Sequence, residues 1–252
     1  MPTPTTVQLL WGTQPRPKRG PKPALSLAGI VAEAIAIADA EGLTNLSMQR
    51  LAERLGFTKM SLYRYVPGKE QLTALMLDAA MGTPPDTAAV QQNSSEERWR
   101  SGLRLWAETI FAQYMAHPWA IELTTGRRPF GPNELGWTES ALIALADTGL
   151  TGSERLDTIV LLNGHARSLA QQLHSLGGEQ PALEFAEQFT EMMTAAGEGF
   201  PAVRAAFAEE AAAAQAPPSS GGPNDALNFG IDRVLDGLGV LIARRTSASG
   251  RS

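Results

Sequence analysis

At 252 residues, with 43% hydrophobic and 19% charged side chains, the chain has the composition of a globular protein that can bury one large core or two smaller ones. It has no cysteine, which excludes disulfides, thiolate zinc sites and cysteine nucleophiles. The net charge of −5 is unevenly divided: residues 16–69 hold nine basic and four acidic side chains, and the remainder twelve basic against twenty-two acidic. That asymmetry points to a polyanionic partner for the first part alone.

Residues 1–25, rich in Pro, Thr and Lys/Arg, show no hydrophobic periodicity and are expected to form a flexible basic arm. The start Met1-Pro2-Thr3-Pro4 lacks the basic-then-apolar order of a signal peptide, so a cytoplasmic protein is expected. Ser26 is placed to cap a helix carrying Leu27, Ile30, Val31, Ala34, Ile35 and Ala38 on one face, with Gly42 as its stop. Ser47 opens a second helix that turns Leu51, Ala52 and Leu55 inward and ends at Gly56. A short third segment runs from Lys59 to Tyr65 and is closed by Pro67-Gly68. A fourth helix from Lys69 buries Leu72, Leu75, Met76 and Ala79, and a linker over 82–94 follows.

The chain stays helical beyond. Ser94 and Glu97 have capping-box spacing ahead of a stripe of Trp99, Leu103, Trp106 and Ile110. His117-Pro118 interrupts that helix, because proline lacks a donor and disfavours helix at the residue before it. A short helix near 119–125 leads into the loop Arg127-Arg128-Pro129-Phe130-Gly131-Pro132, with helical patterns at 134–147, 153–175, 181–196 and 201–214. After the loop 215–223, a last helix over about 224–245 aligns Leu227, Ile231, Val234, Leu235, Leu238 and Ile242, leaving 246–252 as a flexible tail. No apolar run approaches the roughly 20 residues that span a bilayer, so no membrane partner is expected. The fold class expected is all-α: a three-helix N-terminal domain at 26–82 and a larger helical domain at 94–245.

The functional expectation rests on the second and third helices. A helix-turn-helix needs a small residue at the helix approach, a residue that permits the turn, and an apolar anchor in the recognition helix. Ala52, Gly56 and Leu62 supply these at spacings of four and six, and Phe57 is expected to fill the turn. Around Leu62 the helix offers Thr58, Lys59, Met60, Ser61, Tyr63 and Arg64, which suit base edges and phosphates. Arg64 either reads a guanine or touches backbone, and Gln49 on the preceding helix joins the candidate contacts.

The run LSMQRLAERLGFTKMSLYRYVPGKEQL resembles the DNA-binding domain of TetR-type transcriptional regulators, with the aromatic of the family pattern supplied by Tyr65. The resemblance implies phosphate contacts from Ser47, Tyr63 and Lys69, and a groove-facing role for Thr58, Lys59, Met60, Ser61 and Arg64. The stretch HPWAIELTTGRRPFGPNELGWTESALIAL is similar to the effector-binding domain of the tetracycline-repressor branch. This implies a homodimer on a palindromic operator of double-stranded DNA, released by a small-molecule effector, with the last helix and 153–175 forming the dimer interface. The last helix could otherwise close the monomer core.

Trp106, Ile110, Trp119, Phe130, Trp137 and His165 are the candidate ligand contacts, although aromatics at helical spacing are also ordinary core. His165 and Asn163 lie in an otherwise apolar helix, where either internal partners or a ligand must satisfy them. The three histidines are not spaced as metal ligands, and the residues do not match the magnesium-chelating set of tetracycline-type repressors, so neither metal nor cofactor is expected. No nucleophile elbow, phosphate loop or zinc-protease motif argues for an enzyme. The alternative to a ligand-responsive repressor is a DNA-binding regulator controlled by a protein partner or by abundance.

Overall fold

The computed structural model describes residues 3–13, 25–89, 98–175, 181–197, 199–214 and 225–249. Among these the chain forms α-helices and one short 3-10 turn, and no strand. The basic cluster at 16–22, the Ser94–Glu97 capping box and the 215–223 loop lie outside the described residues.

The first correction is at the N-terminus. Helix α1 (Thr6–Leu10) carries a full capping box, in which Thr5 and Gln8 each satisfy the other's backbone N–H. It buries Leu9 and Leu10 and packs on α5, so this part of the expected arm is folded. The Trp11 indole N–H then donates to the Phe130 carbonyl at 3.2 Å.

Helix α2 (Leu27–Glu41) begins where expected, with the Ser26 hydroxyl accepting from the Gly29 N–H at 3.1 Å. Gly42 ends it at φ +81, its N–H donating to the Ala38 carbonyl. Ile37 is fully buried and Ile35 only partly, a small rotation of the expected stripe. After the 3-10 turn Leu43–Asn45 come α3 (Met48–Leu55), α4 (Lys59–Tyr63) and α5 (Lys69–Met81).

Helix α5 departs from the one-sided pattern expected. Ala79 is exposed, while Leu77, Asp78, Ala80 and Met81 are buried together with Leu72, Leu75 and Met76. The reason is position: α5 packs on α2 on one side and on α7 and α8 on the other. A helix apolar nearly all round is one enclosed on more than one face. It is the shared member of the DNA-binding bundle and the C-terminal body.

The segment after α5 is also tied down. Thr87 is buried and donates to the Ser140 carbonyl at 2.7 Å, and the Ser140 hydroxyl donates to the Pro85 carbonyl at 2.7 Å. The body itself consists of α6 (Arg98–Ala116), α7 (Pro118–Leu123), α8 (Pro132–Ala144), α9 (Gly152–Ser175), α10 (Pro181–Ala195), α11 (Pro201–Ala214) and α12 (Asp225–Ser249). Helix α6 is central, with Trp99, Leu103, Trp106 and Ile110 buried against α8 and α9. Helix α12 buries Leu227, Ile231, Leu235 and Leu238, and runs on to Ser249 where a flexible tail was expected from 246. Ion pairs Arg100–Asp236, Arg104–Asp232 and Arg245–Glu154 fix it to α6 and α9. The Glu154 carboxyl, accepting from the Thr151 N–H and from Arg245, is held down to about 2.

Candidate functional site

Local chemistry builds the helix-turn-helix. Gly56 takes the left-handed conformation at φ +73, and the Phe57 N–H closes the turn on the Ala52 carbonyl at 2.9 Å. Thr58 caps α4, its hydroxyl accepting from the Ser61 N–H. Leu62 and Val66 are fully buried, and Tyr65 packs against the core as the aromatic of this pattern should. Phe57, expected to fill the turn, is instead 37% exposed, and it is its backbone N–H that closes the reversal.

With Leu62 inward, α4 presents Lys59, Met60, Tyr63 and Arg64 to solvent, and Met60 is 73% exposed. The Lys59 ammonium lies 5.8 Å from the Tyr63 ring centre. Ser47 caps α3 by accepting from the Arg50 N–H at 3.2 Å, which leaves its O–H free to donate outward. Gln49 is exposed beside it and donates to Glu53 at 2.6 Å. Lys69, at the first turn of α5, reaches the Leu43 carbonyl at 3.4 Å. Two other cations of this module are committed internally, Arg50 to Glu41 at 2.5 Å and Arg54 to Glu33 at 2.8 Å. All the candidate DNA contacts except the half-buried Ser61 are exposed.

The body has a half-open cavity of about 190 Å³ between α5, α6, α8 and α9. Its apolar wall is Met81, Trp106, Ile110, Phe130, Trp137 and Ile159. Its polar wall is Tyr114, Thr124, Arg128, Glu134, Thr138 and Asn163. Trp106 and Trp137 meet edge to face at 5.8 Å, with the Trp106 N–H on the Trp137 carbonyl at 2.8 Å. The Trp137 N–H in turn donates to the Met81 carbonyl at 3.0 Å, fastening α8 to the end of α5. Tyr114 donates to Asn163 at 2.8 Å, and burial pushes its phenol up to about 12, so it stays a neutral donor. That bond answers the question posed by Asn163 in an apolar helix.

Of the ligand candidates, Trp106, Ile110, Phe130 and Trp137 line this cavity, and Trp119 and His165 do not. The Trp119 N–H donates to Asp39 of α2 at 2.6 Å, and His117 meets the same carboxylate at 2.8 Å. Both join α7 to the DNA-binding bundle. His165 bonds the Leu227 carbonyl at 3.1 Å where α9 crosses α12, so an internal partner satisfies it. Among the described residues no group of three His, Asp or Glu is placed to hold a metal.

Arg128 and Glu134 were not among the candidates, and they give the cavity its charge. They form a two-pronged pair at 2.7 and 2.5 Å, with the arginine stacked 5.1 Å from the Phe130 ring. Directly behind them lies Asp78 of α5, which accepts from the Glu134 N–H at 3.0 Å, while its backbone carbonyl accepts from the Asn133 side chain at 2.9 Å. Burial raises the Asp78 pKa from its ordinary value. The start of α8 thus rests on α5, and Gly131 permits the contact: a Cβ there would lie 2.2 Å from the Asp78 carboxyl. Gly131→Ala is expected to cost about 1–3 kcal/mol through this overpacking, read as a lower denaturant midpoint with an unchanged slope.

The family description "Tetracyclin repressor-like, C-terminal domain" matches residues 93–242, and "Bacterial regulatory proteins, tetR family" matches residues 30–76. The chain is 38% identical, over 97% of its length, to the HTH-type transcriptional repressor DrrR1 of Streptomyces coeruleorubidus, of which it covers 88%. The apo structure of ActR from Streptomyces coelicolor has a TM-score of 0.68 at 24% identity, covering 90% of this chain and 100% of that one. The complex of ActR with actinorhodin gives 0.66 at 25% identity, covering 86% and 98%.

Proposed function

Because this chain belongs to the TetR family of bacterial regulatory proteins, we propose that it is a ligand-responsive repressor. It binds a palindromic operator as a homodimer and leaves it when a small molecule enters the cavity. The observation that carries this reading is the double duty of α5. It packs on α2, which in turn packs on α3 of the helix-turn-helix, while Met81 walls the cavity and Asp78 holds the start of α8. An occupant that moves α8 changes the support under the recognition helix, which is the coupling between two sites that a released repressor needs.

The homodimer is favoured by the outer faces of α9 and α12. Leu156, Val160 and Leu161 on α9 and Phe229 and Val240 on α12 are exposed apolar residues on two helices that pack together. A five-residue recognition helix reads few base pairs, so a two-fold pair reading a palindrome supplies the missing specificity. The complex of ActR with actinorhodin supports a small-molecule effector for this chain.

Selection from random duplex pools tests the first half. Enrichment of a palindrome is the expected result, and retention of nothing above background at moderate salt would refute it. On the selected operator, Arg64→Ala should cost about 1–3 kcal/mol and relax one base position, with binding to random DNA nearly unchanged. Equal losses on both DNAs would place Arg64 on the backbone instead. Lys69→Ala should weaken all DNA binding and lower the salt slope by about one.

A further inference from the structure

Within that reading of the cavity as an effector site, we infer that its ligand is an aromatic compound bearing an anionic group, received by Arg128. Three observations converge on this residue. The guanidinium lines the cavity, yet Glu134 takes only its two terminal nitrogens. Its Nε–H is buried with no hydrogen-bond partner. Buried donors left unpaired are rare and costly, so an oxygen anion that displaces the atoms covering this edge of the fork gains a charge-assisted bond there. The surrounding wall of Trp106, Trp137 and Phe130 suits a flat ring system and leaves the charge to Arg128.

The same geometry assigns Glu134 a regulatory part. An anion on the Nε edge places a second negative group beside the Glu134 carboxylate and competes with it for one cation. Glu134 is joined through its own N–H to Asp78 of α5, so loosening its side chain acts next to the contact that ties α8 to the DNA-binding bundle. The cavity is also smaller than the roughly 300 Å³ at which drug-sized ligand pockets begin. A larger ligand needs the Phe130 wall to move, and the Arg128–Glu134 pair is one of its fastenings.

The test is calorimetric titration of the full chain with 2-naphthoate and with 2-naphthamide, its uncharged counterpart. The wild-type protein should bind the carboxylate about tenfold more tightly than the amide, as a charge-assisted bond requires. Glu134→Gln keeps an oxygen for the Gly131 N–H and removes the competitor. It should tighten the carboxylate several-fold and leave the amide unmoved. Arg128→Met combined with Glu134→Gln removes both charges of the pair together and should bring the two affinities level. Equal affinities in the wild type, or a preference that survives the double change, would overturn the anion inference while leaving the cavity as a binding site. Failure of both probes to bind would remove the cavity reading and this inference with it.

Discussion

Trp106→Ala should lower the stability of the body by about 3–5 kcal/mol, the range for deleting a large aromatic from a packed core. The side chain is 1% exposed on the central helix of the body. Its loss empties the volume between α6 and α8, removes the edge-to-face contact with Trp137 and removes the indole hydrogen bond to the Trp137 carbonyl. The last two effects add to the cavity term, because an aromatic pair contributes beyond its buried area and a lost hydrogen bond costs of order 1 kcal/mol. Denaturant unfolding followed by far-ultraviolet circular dichroism measures the loss. A change below about 1 kcal/mol would mean that α8 collapses onto α6 and closes the gap. Trp106→Phe keeps the ring and removes the indole N–H, so it should lie well below Ala on the same scale.

Leu62→Ala should abolish operator binding while sparing the cavity. Leu62 is the one buried residue within α4, a five-residue helix far too short to persist on its own. Losing a fully buried leucine costs about 2–5 kcal/mol, and here the cost falls on the piece that positions Lys59, Tyr63 and Arg64. Operator affinity should fall by about a hundredfold or more. Naphthoate affinity should stay within about twofold of wild type, because none of the cavity wall comes from α4. Faster amide hydrogen exchange confined to residues 47–66 would locate the damage. An intact operator affinity would mean that Val66 alone holds the recognition helix in place.

The helix-turn-helix was legible in the sequence because its determinants are local. Ser47 and Thr58 cap, Gly56 turns, and Ala52 and Leu62 pack within ten residues of one another. Half of the cavity was legible for the same reason, since Trp106 and Ile110 share one helical stripe. The polar half was not. Tyr114 meets Asn163 across 49 positions, and Glu134 meets Asp78 across 56, so no window of sequence contains the pair. Trp119 and His165 misled for the complementary reason: spacing identifies a buried face but not what lies opposite. Asp39 and the Leu227 carbonyl lie there. The N-terminal helix could have been found, because Thr5 and Gln8 have capping-box spacing, but the prolines and cations around them dominated the composition.

The enclosure of α5 makes the DNA-reading half a poor interchangeable part. A cut after Met81 would strip Leu77, Ala80 and Met81 of the neighbours that keep them from water. Chimeric regulators assembled from this chain should therefore carry the junction before α5, so that each sensor head travels with the helix it was shaped against.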